Sequence, residues 1–211
     1  MFRFAAITVP PVTSALVSLA DAKADLGVTS PVDDSYISSL VARASRTVAE
    51  YCGRPLGAMT VAEQWQPPLS TVPRPLIASY RVIFGVPALT LGGIAMVGAD
   101  YLFDAPAGLI HRASGGRNIP WSTSPVAATY TTGYRLPGDA VNGADILPES
   151  IQAVCLALVK AGYADRGANP GVIREETTGV GMTIFAPTRS VTAMTLDDEA
   201  EEVLNPFRRR A

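Results

Sequence analysis

The chain has 211 residues, enough for one domain of ordinary size or for one core carrying a large insertion. Hydrophobic residues make up 48% and charged residues only 17%, which excludes a disordered polyelectrolyte and leaves little polar surface for a free monomer, so subunit contacts are expected. Lys and Arg total 17 against 19 Asp and Glu, a balance that excludes tight nucleic-acid binding through bulk positive charge.

In chain order, Pro10 and Pro11 first break the apolar stretch that a secretory signal needs. Residues 18–27 predict a short helix, with Ser18 as N-cap, Asp21 in the capping-box position and Gly27 as its stop; Leu19, Ala22 and Leu26 share one face. Asp33 or Asp34 then caps a second, amphipathic helix of about five turns, in which Ile37, Leu40, Val41, Ala44, Val48 and Tyr51 recur at steps of three and four. It runs into "AEYCGRPL". A nucleophilic cysteine needs a base within reach and a lowered pKa, often supplied by a helix N-terminus. Cys52 sits at the opposite end, Gly53 stands where a left-handed cap belongs, and Pro55 prevents continuation, so these three residues are read as a structural helix stop.

Residues 58–146 lose the helical period and predict a β-rich segment. "TVAEQW" alternates as one strand, "RVIFGVPALTLGGIAMVG" reads as strand, turn and strand, "YLFDAPAGLIHR" as two strands about a turn, and "VAATYTTGY" as another. Arg81, Pro87 and the Gly92-Gly93 pair interrupt this most apolar region, so no membrane span is expected. A third helix starts at Leu147 and Pro148, buries Ile151, Val154, Cys155, Leu158 and Val159, and ends near Asp165, with Gly167 beyond. A polar loop leads to a short strand, "MTIF", and then to a last short helix whose acids, Asp197, Asp198 and Glu199, precede its apolar Val203 and Leu204, with Pro206 closing it before Phe207 and three arginines.

Candidate chemistry is thin. Cys52 and Cys155 are too few for a disulfide framework and are not spaced as metal ligands, which points to a reducing cytoplasm as the place of assembly. Cys155 lies on an apolar stripe, and His111, the only histidine, falls in a strand. "GDAVNGAD", with Asp139 and Asp145, lacks the spacing and closing Glu of a calcium loop, and "LTLGGIAMVG" lacks the Lys of a phosphate-binding loop. No catalytic residue, cofactor or metal is therefore expected. Two competing readings are an enzyme using Cys52 or Cys155 with His111, and a carbohydrate- or protein-binding β module presenting Trp65, Trp121 and Tyr134 on its surface.

Several segments together resemble the head-tail connector (adaptor) proteins of long-tailed bacteriophages and gene transfer agents. They are "VSLADAKADLGV", "DDSYISSLVARASRTVAEYCGRPL", "YTTGY" before "LPESIQAVCLALVKAGYADR", "IREETTGVG" and "EAEEVLNPFRRR", in the family's order and over roughly half the chain. The resemblance implies an α+β, mainly α fold: a small helical bundle whose parts, residues 1–57 and 147–211, flank a β-rich insertion, residues 58–146. It further implies a structural virion protein of the neck, not an enzyme. Such proteins form a homo-oligomeric ring, twelve-fold in that family, beneath the portal protein, where the ring joins a stopper or tail-completion protein and lets DNA pass without sequence-specific binding. Residues 147–211 carry nine acids against seven bases, as suits a wall that must not grip DNA. On this reading Val203, Leu204, Phe207, Arg208, Arg209 and Arg210 form a portal-docking tail.

Overall fold

The computed structural model describes residues 2–141, 143–166, 172–174, 184–185 and 196–209, and the chain divides into two compact units. The first comprises Met1–Ser14, Ala49–Leu147 and Phe207–Ala211; the second comprises Ala15–Val48 and Pro148–Pro206.

The first unit is built on strands. β1 (Phe2–Val9), β2 (Met59–Gln66), β4 (Ile83–Leu91), β5 (Ile94–Ala95) and β9 (Val126–Thr132) form an antiparallel sheet in the order β1-β2-β9-β4-β5. β3 (Leu76–Ile77), β7 (Leu109–Ser114) and β6 (Tyr101–Asp104) form a second sheet in that order, with β8 (Arg117–Asn118) paired to β7. Strict alternation decides which side chains go in. On β2, Met59, Val61, Glu63 and Trp65 are buried while Gln64 and Gln66 face water, and β9 buries Val126, Ala128, Tyr130 and Thr132 opposite them. Trp65, Tyr80, Tyr101, Trp121 and Tyr130 fill one core with Val61, Ile110 and Val126.

Inside that core lies a carboxylate. Glu63, 2% exposed, accepts hydrogen bonds from the Ser79 backbone N–H (3.0 Å), the Ser79 hydroxyl (2.6 Å) and the Tyr130 hydroxyl (2.6 Å), and it pairs with the Arg3 guanidinium of β1. Burial and the adjoining carboxylate both hold the Tyr130 phenol in its protonated form, well above its usual range, which keeps it a donor. A buried charge persists only when its lone pairs are filled, and here they are filled from three separate segments.

The second unit holds helices α1 (Leu19–Leu26), α3 (Glu149–Ala164) and α4 (Asp198–Leu204), and the greater part of α2 (Asp34–Cys52). Ser18 caps α1 by accepting from Asp21 N–H, Gly27 closes it, and Asp197 caps α4 by accepting from Ala200 N–H. Ile37, Leu40, Val41, Ala44 and Val48 of α2 are buried, as are Ile151, Val154, Cys155, Leu158 and Val159 of α3. Neither aspartate proposed to cap α2 does so: Ser30 caps a short 3-10 turn, Pro31–Asp33, that runs into the helix. That leaves Asp33 to accept from Tyr163 Oη (2.9 Å) and to pair with Arg166 at the end of α3. Two short strands, β10 (Val172–Arg174) and β11 (Ile184–Phe185), pair antiparallel, and the latter falls within the predicted "MTIF" strand. Gly167 lies outside the described residues.

The expected mainly helical fold is incorrect. Helix and strand take comparable shares of the described residues, with antiparallel sheets in the first unit. Two physical facts account for the difference. The first residues form β1, pinned by Arg3 to the buried Glu63, and the region expected as an insertion owns an aromatic-rich core of its own.

Replacing Glu63 with Ala should cost about 3–5 kcal/mol in urea unfolding, because Arg3 and Tyr130 lose their common partner. Tyr130→Phe should cost about 1.5–3 kcal/mol, and the two losses should be strongly non-additive in a double-mutant cycle. For the second unit, hydrogen bonds from Arg166 and then from Tyr163 hold the Asp33 carboxyl below its usual range. A depressed carboxylate stabilises the fold above its unfolded pKa, and the contribution vanishes as pH falls through the folded value. Thermal melts of Asp33→Asn should therefore lie below those of the unaltered chain at neutral pH and converge with them in acid.

Candidate partner interface

The end of α2 and the chain's C-terminal segment meet in the first unit. Gly53 has φ 64°, its N–H donates to Glu50 O (3.0 Å) and the Arg54 N–H donates to Ala49 O (3.2 Å), which is the paired closure of a Schellman cap. The Cys52 carbonyl, one of the last acceptors of the helix, takes the Arg209 backbone N–H at 2.8 Å. The Arg208 guanidinium stands 5.0 Å from the Tyr51 ring centre. That of Arg209 stands 4.7 Å from the Tyr80 ring, and its Nη1 is 3.3 Å from Tyr80 Oη. Two cations at the negative end of a helix are also favoured by its dipole.

The chain around this joint is tightly fixed. Arg54 is buried, donates from Nη1 to Arg81 O (3.0 Å) and lies over the Tyr134 ring. Val82, a β-branched residue, is held at φ 65° while its carbonyl accepts from Thr132 Oγ1 and Gly133 N–H. Gly133 passes so close to Gly57 that a Cβ there would lie 2.2 Å from the Gly57 carbonyl oxygen.

Of the residues singled out in the sequence, Cys52 is buried, Gly53 closes the helix and Pro55 follows half-buried, as expected of a helix stop. Burial pushes the Cys52 thiol up, against the opposing pull of Arg54 and Arg208, so it is poorly suited to act as a nucleophile. Burial raises Cys155 to about 11, and its sulfur lies 3.7 Å from Ser45 Oγ. His111 sits on β7 with Nδ1 3.4 Å from Asn118 Nδ2. No group of three or more metal-ligating side chains occurs among the described residues, and no described helix is long and apolar enough to cross a membrane. Trp65, Trp121 and Tyr134 are buried, so they offer no aromatic platform for a sugar or peptide. In the tail, Val203 and Phe207 are half-buried, Leu204 is fully buried, Arg208 and Arg209 are exposed, and Arg210 lies outside the described residues.

Sequence reasoning missed the anchoring of this tail on the helix stop. The signal was present as a helix C-terminus that needs acceptors filled and a run of arginines, but nothing local joins residues 52 and 209.

Comparison with known proteins bears out the resemblance seen in the sequence. Residues 16–81 match the model of the family described as "Phage gp6-like head-tail connector protein". That span contains α1, α2 and the helix stop. Among solved structures, a chain from the neck of an empty gene transfer agent (GTA) particle is similar at 15% identity and a TM-score of 0.49, covering 100% of this chain and 97% of that one. A chain from the virion of a native GTA particle is similar at 14% identity and a TM-score of 0.48, covering 97% of both chains. No curated protein matches significantly.

Gly53→Val should destabilise the chain by about 1–2 kcal/mol through strain at the left-handed cap, read as a lower midpoint in chemical unfolding. Cys52→Ala should leave the fold and any assembly intact; loss of assembly from a folded Cys52→Ala protein would restore a chemical role for that thiol.

Proposed function

We propose that this chain is a structural head-tail connector, a subunit of a ring in the neck of a phage or gene-transfer-agent particle. The observation that carries this reading is the match of residues 16–81 to the connector family. The ring, twelve-fold as in the family it resembles, docks beneath a portal protein and receives a stopper or tail-completion protein. DNA passes along its axis without being read. The low share of charged residues and the acid-leaning C-terminal third support a subunit that buries apolar surface against its neighbours and does not hold phosphates. Its work is mechanical, and no residue is assigned to catalysis, a cofactor or a metal.

The tail is the proposed portal contact. Arg208 and Arg209 stack on tyrosines of their own chain, and neither has a carboxylate partner among the described residues. They are thus pre-positioned with free N–H donors for carboxylates of a partner, and the half-buried Phe207 beside them supplies an apolar anchor. Since the tail is joined to the helix end through the backbone N–H of Arg209, side-chain reversal tests docking while that hydrogen bond is kept.

The Arg208→Glu, Arg209→Glu double variant should fold, and particles assembled with it should accumulate as DNA-filled heads without tails. Normal numbers of tailed particles would overturn the docking role. Native mass measurement of isolated necks tests the ring itself, and a single copy per neck would overturn it.

A further inference from the structure

The two edges of the five-stranded sheet lie at opposite ends of the order β1-β2-β9-β4-β5, and both are largely apolar, the one charge of β1, Arg3, being paired with Glu63. Residues 4–20 and 82–99 contain no Asp, Glu, Lys or Arg. On the β1 edge, Phe4 is 59% exposed, and Ile7 and Val9 are exposed with it. On the β5 edge, Ile94 is 76% exposed and Val97 is also in water. Beside β5 lies a hollow of about 300 Å³ with Leu91, Ile94, Met96 and Ile119 in its lining and Asp100 and Arg112 among its polar groups. One edge therefore carries an exposed aromatic ring and the other a concavity whose lining is mixed, apolar from Leu91, Ile94, Met96 and Ile119 and polar from Asp100, Arg112 and Ser114.

We propose that the β1 edge of one copy docks on the β5 edge of the next, with Phe4 entering the hollow. This rests on the ring reading above and specifies the subunit contact it requires. A knob that fits a pocket elsewhere on the same molecule makes a head-to-tail contact, and such contacts close into rings when the rotation allows. Pairing β1 with β1 would instead cover one edge of each copy and leave Ile94 and Val97 in water. Head-to-tail docking covers both edges at once. β1 is eight residues long with no proline or lysine; its one charge, Arg3, pairs with Glu63 and its only register shift is near its end, so its middle residues are open to a partner. β4, by contrast, is blunted by Pro87 and by a register shift between Phe84 and Ala88, and β5 has two residues. The contact is accordingly a side chain in a hollow and not a long shared ladder.

The register supplies the probe. Phe4, Gln64, Ala127, Thr90 and Ala95 lie on one rung across the sheet, so Phe4 and Ala95 mark its two edges on the same face. Cysteines would be placed at both positions in the full chain and treated with a bifunctional maleimide; Cys52 and Cys155 are buried and should not react. The Phe4→Cys, Ala95→Cys protein should give a ladder of covalent oligomers, and each single variant none. Phe4→Lys should weaken self-association about tenfold or more with an unchanged melting temperature. Covalent dimers from Phe4→Cys alone would overturn the proposal in favour of a two-fold contact. Oligomers by native mass measurement that give no 4–95 cross-link and tolerate Phe4→Lys would overturn it while leaving the ring standing. Unmodified chain that stays single, both concentrated in solution and in isolated necks, would overturn the ring reading and this contact with it.

Discussion

A charge buried in the middle of a sheet constrains everything around it. Glu63 sits on the inward face of the second strand in from one edge, and the side chains that satisfy it come from the strands on either side and from the segment after β3. In the ladder Glu63 faces Ala5 and Ala128, so Arg3 and Tyr130 reach it diagonally, each two residues along its strand. A slip of β1 by one residue would turn Arg3 out to water and Phe4 in, leaving the carboxylate without its cation. The register of the edge strand is thereby fixed by electrostatics, not by apolar patterning, which in "FRFAAITV" is nearly as good one way as the other. The same register puts Phe4 on the outer face. A large exposed aromatic on an edge strand is thus a consequence of how the core is satisfied.

That dependence explains what could be read in the sequence and what could not. α1, α2 and α3 were legible because caps and three-to-four spacing are local: Ser18 and Gly27 bracket the first, and Asp165 ends the third. The strands within 58–146 were legible from alternation, as in β2 and β9. β1 was not, because its place depends on a partner sixty residues away. The weight of the fold was misjudged for a related reason. Alternation identifies strands one at a time and does not reveal that Trp65, Tyr101, Trp121 and Tyr130 converge on one core and make a unit of their own. Asp33 shows the same limit at smaller scale: its position suited a cap, but Ser30 takes that duty and Asp33 pairs with Tyr163 and Arg166 over a hundred residues on.

The helix stop joins the local and the distant kinds of information. Gly53 and Pro55 announce that α2 ends, and the turn at the left-handed glycine satisfies two carbonyls, one through the Gly53 N–H and one through the Arg54 N–H. The Cys52 carbonyl remains, and the backbone of Arg209 fills it. The tail is therefore part of the fold up to that residue, while its guanidinium groups rest on tyrosine faces that orient them without neutralising them. Orientation without neutralisation keeps a cation available at low entropic cost to a partner that brings carboxylates.

In the proposed assembly the two kinds of surface answer to different forces. Contact between Phe4 and the hollow beside β5 rests chiefly on apolar burial, since the entering side chain carries no charge and salt screens little of what it gains. Docking through Arg208 and Arg209 rests on ion pairs at exposed positions, which salt weakens strongly. Each is modest taken singly. A closed ring multiplies the first kind, since every subunit is held on two sides, and presents the second kind as a circle of cations to a symmetric partner, where one engaged tail raises the effective concentration of the rest. Neither needs a pocket for a small ligand or a reactive side chain. A chain with so few charges and both thiols buried carries the side-chain chemistry that this division of labour requires.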